Sequence, residues 1–166
     1  MSNGSAEMTR PKSGNESRAT AGYAGDLTPK DAWDLLQRQP NSVLVDCRSQ
    51  AEWSFVGVPD LSSLDKRAVL VEWQSFVPGT AGAKPRMSAN QSFVPDVERA
   101  GVSKDATVIF ICRSGGRSRS AAIAMTAAGW QQCYNLAGGF EGLHDGGQHR
   151  GAASGWKADG LPWTQE

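Results

Sequence analysis

The 166-residue sequence predicts an α/β domain, and three observations carry that prediction. Three short apolar runs rich in β-branched residues have the pattern of buried strands: SVLVDC at Ser42 to Cys47, AVLVEW at Ala68 to Trp73 and TVIFIC at Thr107 to Cys112. A capped helical pattern precedes the first run. An alanine-rich helical stretch follows the third across a short glycine-containing loop, which is the strand, loop, helix order of an α/β protein. A chain of this length buries an adequate core in one domain without disulfides or a structural metal.

From the N-terminus, residues 1–22 are rich in Ser, Asn, Gly and Thr and read as a disordered leader, leaving 23–166 as the folded domain. The leader has no apolar run of the kind a signal peptide or membrane span requires, which places the expected location in the cytoplasm. Thr28 then reads as an N-cap, Pro29 as the first helical residue and Asp31 as the capping-box position, opening a helix through Arg38. Ala32, Leu35 and Leu36 form its apolar stripe, with Trp33 at the edge, and Pro40-Asn41 ends it. After the first two strands, Gln74 to Asn90 carries Pro78, Gly79, Gly82 and Pro85 and is expected to be loop, followed by a helix from Pro95 to Ala100. The pentapeptide QSFVP occurs at Gln74 and again at Gln91, and with no flanking similarity it is read as coincidence. The third strand delivers Cys112 to its C-terminal end, where open α/β sheets bind ligands. A helix from Ser118 to Ala128 stopped by Gly129, a short strand from Cys133 to Leu136, a long surface loop from Gly138 to Gly155 and a closing turn or short helix from Trp156 to Pro162 complete the reading.

Charge and composition exclude some functions. Seventeen basic and seventeen acidic residues give no net charge, so no global field steers the chain toward nucleic acid or an anionic membrane. The tryptophans are scattered and read as packing, with no platform for stacking bases. Cys47, Cys112 and Cys133 are far apart in sequence and lack metal-ligand spacing, which argues against a disulfide scaffold or zinc site and for a reducing compartment. His144 and His149 are read as solvated loop residues, and Cys47 and Cys133 as packing residues, with a resolving-cysteine role left open for either because sequence distance says little about spatial distance.

The candidate site is the loop Cys112-Arg113-Ser114-Gly115-Gly116-Arg117-Ser118. A cysteine between a strand end and a helix start faces backbone N–H groups and the positive end of the helix dipole, both of which favour a thiolate. Gly115 and Gly116 permit the dihedrals of an anion-binding nest. Arg113, Arg117 and Arg119 add positive charge; Arg117 is assigned to bracing the loop or touching an anion, and Arg119 equally to a solvated helix face.

This loop, C-x-x-G-x-R-S, resembles the active-site loop of the rhodanese family. Four other segments strengthen the resemblance: Val45-Asp46-Cys47-Arg48 through Glu52-Trp53, similar to the family's D-x-R-x-x-x-E-aromatic signature; Gly129-Trp130 through Leu136-Ala137-Gly138-Gly139-Phe140; Gly155-Trp156 through Gly160-Leu161-Pro162; and the opening helix from Thr28. Together they span residues 23–163. The chain departs from the pattern at Val56-Gly57-Val58-Pro59-Asp60-Leu61, where the family's histidine is missing, and in a Gly/His-rich insert over 141–154.

What the resemblance implies is a rhodanese-like three-layer fold with a central, mainly parallel sheet flanked by helices, and sulfur transfer through a Cys112 persulfide. The implied partners are a small anionic sulfur donor such as thiosulfate and a thiol or cyanide acceptor, extending to a protein sulfur acceptor, with no metal or organic cofactor. Asp46, Arg48 and Glu52 are assigned to a supporting network of charge and hydrogen bonds beside the loop. Two alternatives are weighed. A cysteine phosphatase or arsenate reductase shares the cradled thiolate but needs arginine six places after the cysteine, where this chain has Ser118. A non-catalytic or partner-specific rhodanese-like module is disfavoured by the intact cysteine and loop.

Overall fold

In the computed structural model, residues 22–166 are described, so the leader expected over 1–22 lies outside the described residues except for Gly22. Five strands form the main sheet: β1 (Gly25–Leu27), β2 (Ser42–Asp46), β4 (Val69–Leu70), β7 (Thr107–Ile111) and β8 (Gln132–Leu136). Their order is β1-β8-β7-β2-β4 and every pairing is parallel. The most apolar run, TVIFI, is therefore the central strand, as expected of a strand buried on both faces.

Helices cover both faces. On one side α3 (Phe93–Arg99) and α4 (Gly116–Ala127) contribute Phe93, Val97, Ala121, Ala122 and Met125 to a cluster with Val45, Val108 and Phe110. On the other, α1 (Pro29–Arg38) packs Ala32 and Leu36 with Leu44, Ile109, Ile111, Phe140 and Trp156. Alternate residues of β7 thus serve opposite layers, the consequence of a two-residue side-chain period. α2 (Gln50–Val56) lies after β2 and buries none of its residues. β3 (Val58–Pro59) pairs antiparallel with β9 (Trp163–Thr164), bringing the C-terminal end beside the segment after α2.

The first helix has the bounds and cap the sequence predicts, with the Thr28 hydroxyl accepting from the Asp31 N–H at 3.1 Å. The expected loop over 74–90 is instead a hairpin of β5 (Gln74–Val77) and β6 (Arg86–Ala89). The Pro and Gly residues that suggested loop mark only its tip, between Val77 and Arg86. The expected strand from Ala68 to Trp73 is regular only at Val69–Leu70, because it is an edge with one neighbour; Val71 and Trp73 still donate backbone bonds to Asp46 and Cys47, each at 3.1 Å. α3 begins at Phe93, two residues before the expected Pro95, and α4 begins at Gly116 rather than Ser118. Among the described residues no helix is long and apolar enough to cross a membrane.

Candidate active site

Cys112 follows the last residue of β7 and stands at the C-terminal edge of the sheet, and Gly116 opens α4. Four residues, Cys112 to Gly115, bridge the two elements, which the chain manages because Gly115, the N-cap, adopts φ +112°, a conformation that disfavours any side chain. The turn aims the Gly115 N–H at Cys112 Sγ, 3.2 Å away. Cys112 is 1% exposed, so it lies at the base of the loop with Ser118 of the first turn of α4 against its sulfur.

Ser118, in that first turn, is buried with its hydroxyl 3.1 Å from Cys112 Sγ and 2.6 Å from Asn135 Oδ1. Its one proton serves two acceptors. Asn135 Nδ2 in turn donates to Asp26 Oδ1 at 3.0 Å, and the Tyr23 hydroxyl donates to the same oxygen at 2.8 Å. This chain of polar groups, running from the sulfur across β8 to β1, was not foreseen. The signal for it is Asn135 itself, a polar residue at a buried position of an otherwise packed strand.

The charged groups sort into two separate pairs. Asp46 and Arg48 are fully buried and joined by three side-chain hydrogen bonds of 2.6–3.2 Å; Arg48 Nη2 also donates to the Gly57 carbonyl at 2.7 Å, and the guanidinium lies 4.2 Å from the centre of the Phe140 ring. Glu52 instead faces Arg117, which donates from Nη1 at 2.8 Å and Nη2 at 2.7 Å in a bidentate pair. Glu52 also accepts the Ser49 N–H and hydroxyl, each at 2.9 Å, completing the capping box of α2. Burial raises the Glu52 carboxyl, but the bonds from Arg117 and Ser49 outweigh it and bring the group down to about 2. Arg117 therefore ties α2 to α4 and braces the loop.

Arg113 and Arg119 are exposed, and Arg119 lies over the Tyr23 ring at 5.7 Å. Ser114 and Gly116 lie on the loop without reaching Sγ. The loop backbone is held from behind by the segment after β8: Phe140 N–H donates to the Cys112 carbonyl at 2.7 Å, and Glu141 and Gly142 donate to the Arg113 carbonyl at 3.0 and 3.1 Å. Gly139 sits so close, at φ +63°, that a Cβ there would lie 2.5 Å from the Cys112 carbonyl oxygen. His144 and His149 are exposed in the loop beyond, as the sequence suggests.

Comparison with known proteins gives this arrangement a context. Residues 28–145 match the rhodanese-like domain family. The chain is 47% identical to Rv0390 from M. tuberculosis, whose crystal structure superposes with a TM-score of 0.74 over 87% of this chain and 99% of that one. An uncharacterized protein of Rickettsia conorii, RC0915, is 34% identical over 133 residues, covering 80% of this chain and 90% of the relative. At 21% identity, the solution structure of a polysulfide-sulfur transferase homodimer from Wolinella succinogenes shares the fold, with a TM-score of 0.54 over 92% of this chain and 89% of that one. The parallel sheet flanked by helices, the extent of the match and the likeness to these relatives agree, and the chain belongs to the rhodanese-like domain family.

Proposed function

We propose that the protein is a sulfurtransferase that moves a sulfane sulfur from an anionic donor such as thiosulfate to a thiol or cyanide acceptor through a Cys112 persulfide. One observation carries the reading: Cys112 Sγ sits at the C-terminal end of the central strand with the Gly115 N–H at 3.2 Å and the N-terminus of the 12-residue α4 beside it. Backbone donors and the helix dipole stabilise the negative charge that the sulfur carries as a nucleophile. Cys112 Sγ attacks the outer sulfur of thiosulfate, the sulfur–sulfur bond of the donor breaks, and sulfite leaves with the electron pair. The outer sulfur of the persulfide then carries the charge, held by the amides of Ser114 to Gly116 at the loop rim. An acceptor thiol or cyanide removes it and Cys112 returns to the thiolate.

Arg117 counts against the phosphatase alternative. A tetrahedral phosphoryl group needs a guanidinium turned into the cradle, and here both arms of Arg117 are taken by Glu52. Exposed Arg113 supplies the long-range attraction for an anionic donor. The activity named for the Wolinella protein comes to this chain through these features. Cys47, Cys112 and Cys133 are all unpaired, which fits work in a reducing cytoplasm, where protein thiols also serve as acceptors. The test is sulfur transfer from thiosulfate to cyanide by wild type and Cys112→Ser: the wild type turns over and the variant does not, and turnover retained by the variant refutes the proposal.

A further inference from the structure

Strand register sets a second cysteine beside the first. β2 and β7 run parallel with Asp46 opposite Ile111, and the Cys47 N–H extends the ladder by donating to the Ile111 carbonyl at 3.0 Å. Cys47 therefore stands opposite Cys112. Neighbouring strands lie about 4.8 Å apart, inside the window of about 4.4–6.8 Å spanned by the Cα atoms of a disulfide. Side-chain direction agrees, since Val45 and Cys47 of the one strand and Val108, Phe110 and Cys112 of the other all enter the same buried cluster. The two thiols and Arg117 also lie within electrostatic reach of one another. Cys133 shares that cluster but pairs with Val108, four residues before Cys112, which at about 3.3 Å per residue is about 13 Å away along the strand.

We propose that Cys47 is a resolving thiol, converting sulfur-loaded Cys112 into a Cys47–Cys112 disulfide with release of sulfide. The proposal rests on the persulfide reading above. Cys47 Sγ attacks Cys112 Sγ, the bond between the two cysteine sulfurs forms, and the bond from Cys112 Sγ to the outer sulfur breaks. The outer sulfur leaves with that electron pair and takes up the Cys47 proton as hydrosulfide. The two cysteines are oxidised to the disulfide and the sulfane sulfur is reduced to sulfide, so no outside oxidant enters; a dithiol reductant restores both thiols. Burial, followed by the charge of Cys112, pushes the Cys47 thiol well above its usual range. Resolution is accordingly slow beside transfer to an acceptor and discharges sulfur for which no acceptor has arrived.

The full chain is loaded with thiosulfate, freed of donor and held without acceptor, while released sulfide is measured and linked peptides are mapped without reduction. Wild type and Cys133→Ser release sulfide and yield a peptide joining Cys47 to Cys112; Cys47→Ser and Cys47→Ala keep the added sulfur roughly tenfold longer. Equal loss of sulfur in wild type and both Cys47 variants, with no linked peptide, overturns the proposal. Should wild type take up no sulfur, the persulfide reading fails, and dilute hydrogen peroxide decides the cysteine pair separately. Peroxide converts Cys112 to its sulfenic acid, from which Cys47 displaces water to form the same disulfide. A linked peptide in wild type that both Cys47 variants lack supports the pair, and a sulfenic acid that persists unlinked in wild type overturns it.

Discussion

At the scale of single residues, the site depends on groups that hold Cys112 rather than on groups that react. Glu52 is the clearest case, because it caps α2 through Ser49 and fixes α4 through Arg117 at once. Its carboxyl falls from 4.5 to about 2 in the folded protein. A depressed carboxyl contributes its stability in full above pH 4.5 and loses it as pH falls toward 2. Glu52→Gln is therefore expected to cost about 2 kcal/mol at neutral pH, after allowance for solvent screening of a partly exposed pair. Urea unfolding across pH checks this: the gap between wild type and variant narrows below pH 4.5 and closes near 2. The loop from Cys112 to Ser118 was legible as a turn between a strand end and a helix start because its pattern sits within seven consecutive residues. Asn135 and Asp26 were not, since they reach the sulfur only through the pairing of β8 with β1 and β7, which no local pattern encodes. The separation of Asp46–Arg48 from Glu52–Arg117 was hidden for the same reason.

Among the elements, those with strong local patterns match the sequence reading, β2 and β7 to within one residue, whereas the β5–β6 hairpin, made by pairing across a Pro/Gly-rich tip, does not. α1 has a complete N-terminal signal in Thr28, Pro29 and Asp31 and lies where it is expected. Thr28→Ala is predicted to cost about 1 kcal/mol, measured by thermal or urea unfolding. The two copies of QSFVP make the opposite point: Gln74–Val77 is a strand of the hairpin, whereas the second copy runs into α3 with Phe93 buried. Five residues do not choose between the two; Phe93 is fixed by packing against Trp73, with ring centres 5.0 Å apart, and against the sheet. The segment after β8 shows how one element supports another. Gly139→Ala combines left-handed backbone with overlap on the Cys112 carbonyl, and is predicted to cost about 3 kcal/mol. Because the displaced atoms belong to the loop, sulfur transfer falls as well, which activity measured on the folded fraction tests.

For the whole molecule, the order of helical and strand patterns predicted the class, and the resemblance predicted the central sheet with its flanking layers. The apolar content of β7 marked it as the centre. What stayed hidden was the periphery: three-residue β1 and the β3–β9 pair are too short to leave a period, and they exist because neighbouring chain offers backbone partners. The parallel topology gathers the C-terminal ends of β2 and β7 at one edge, and with them Cys47, Cys112 and both charged pairs. The central claim, that this edge carries sulfur on Cys112, is tested most directly by intact mass and peptide mapping after thiosulfate treatment. The account predicts one added sulfur on the Cys112 peptide, removed by cyanide and absent from Cys112→Ser; a wild-type chain that gains no sulfur, or gains it elsewhere, contradicts it.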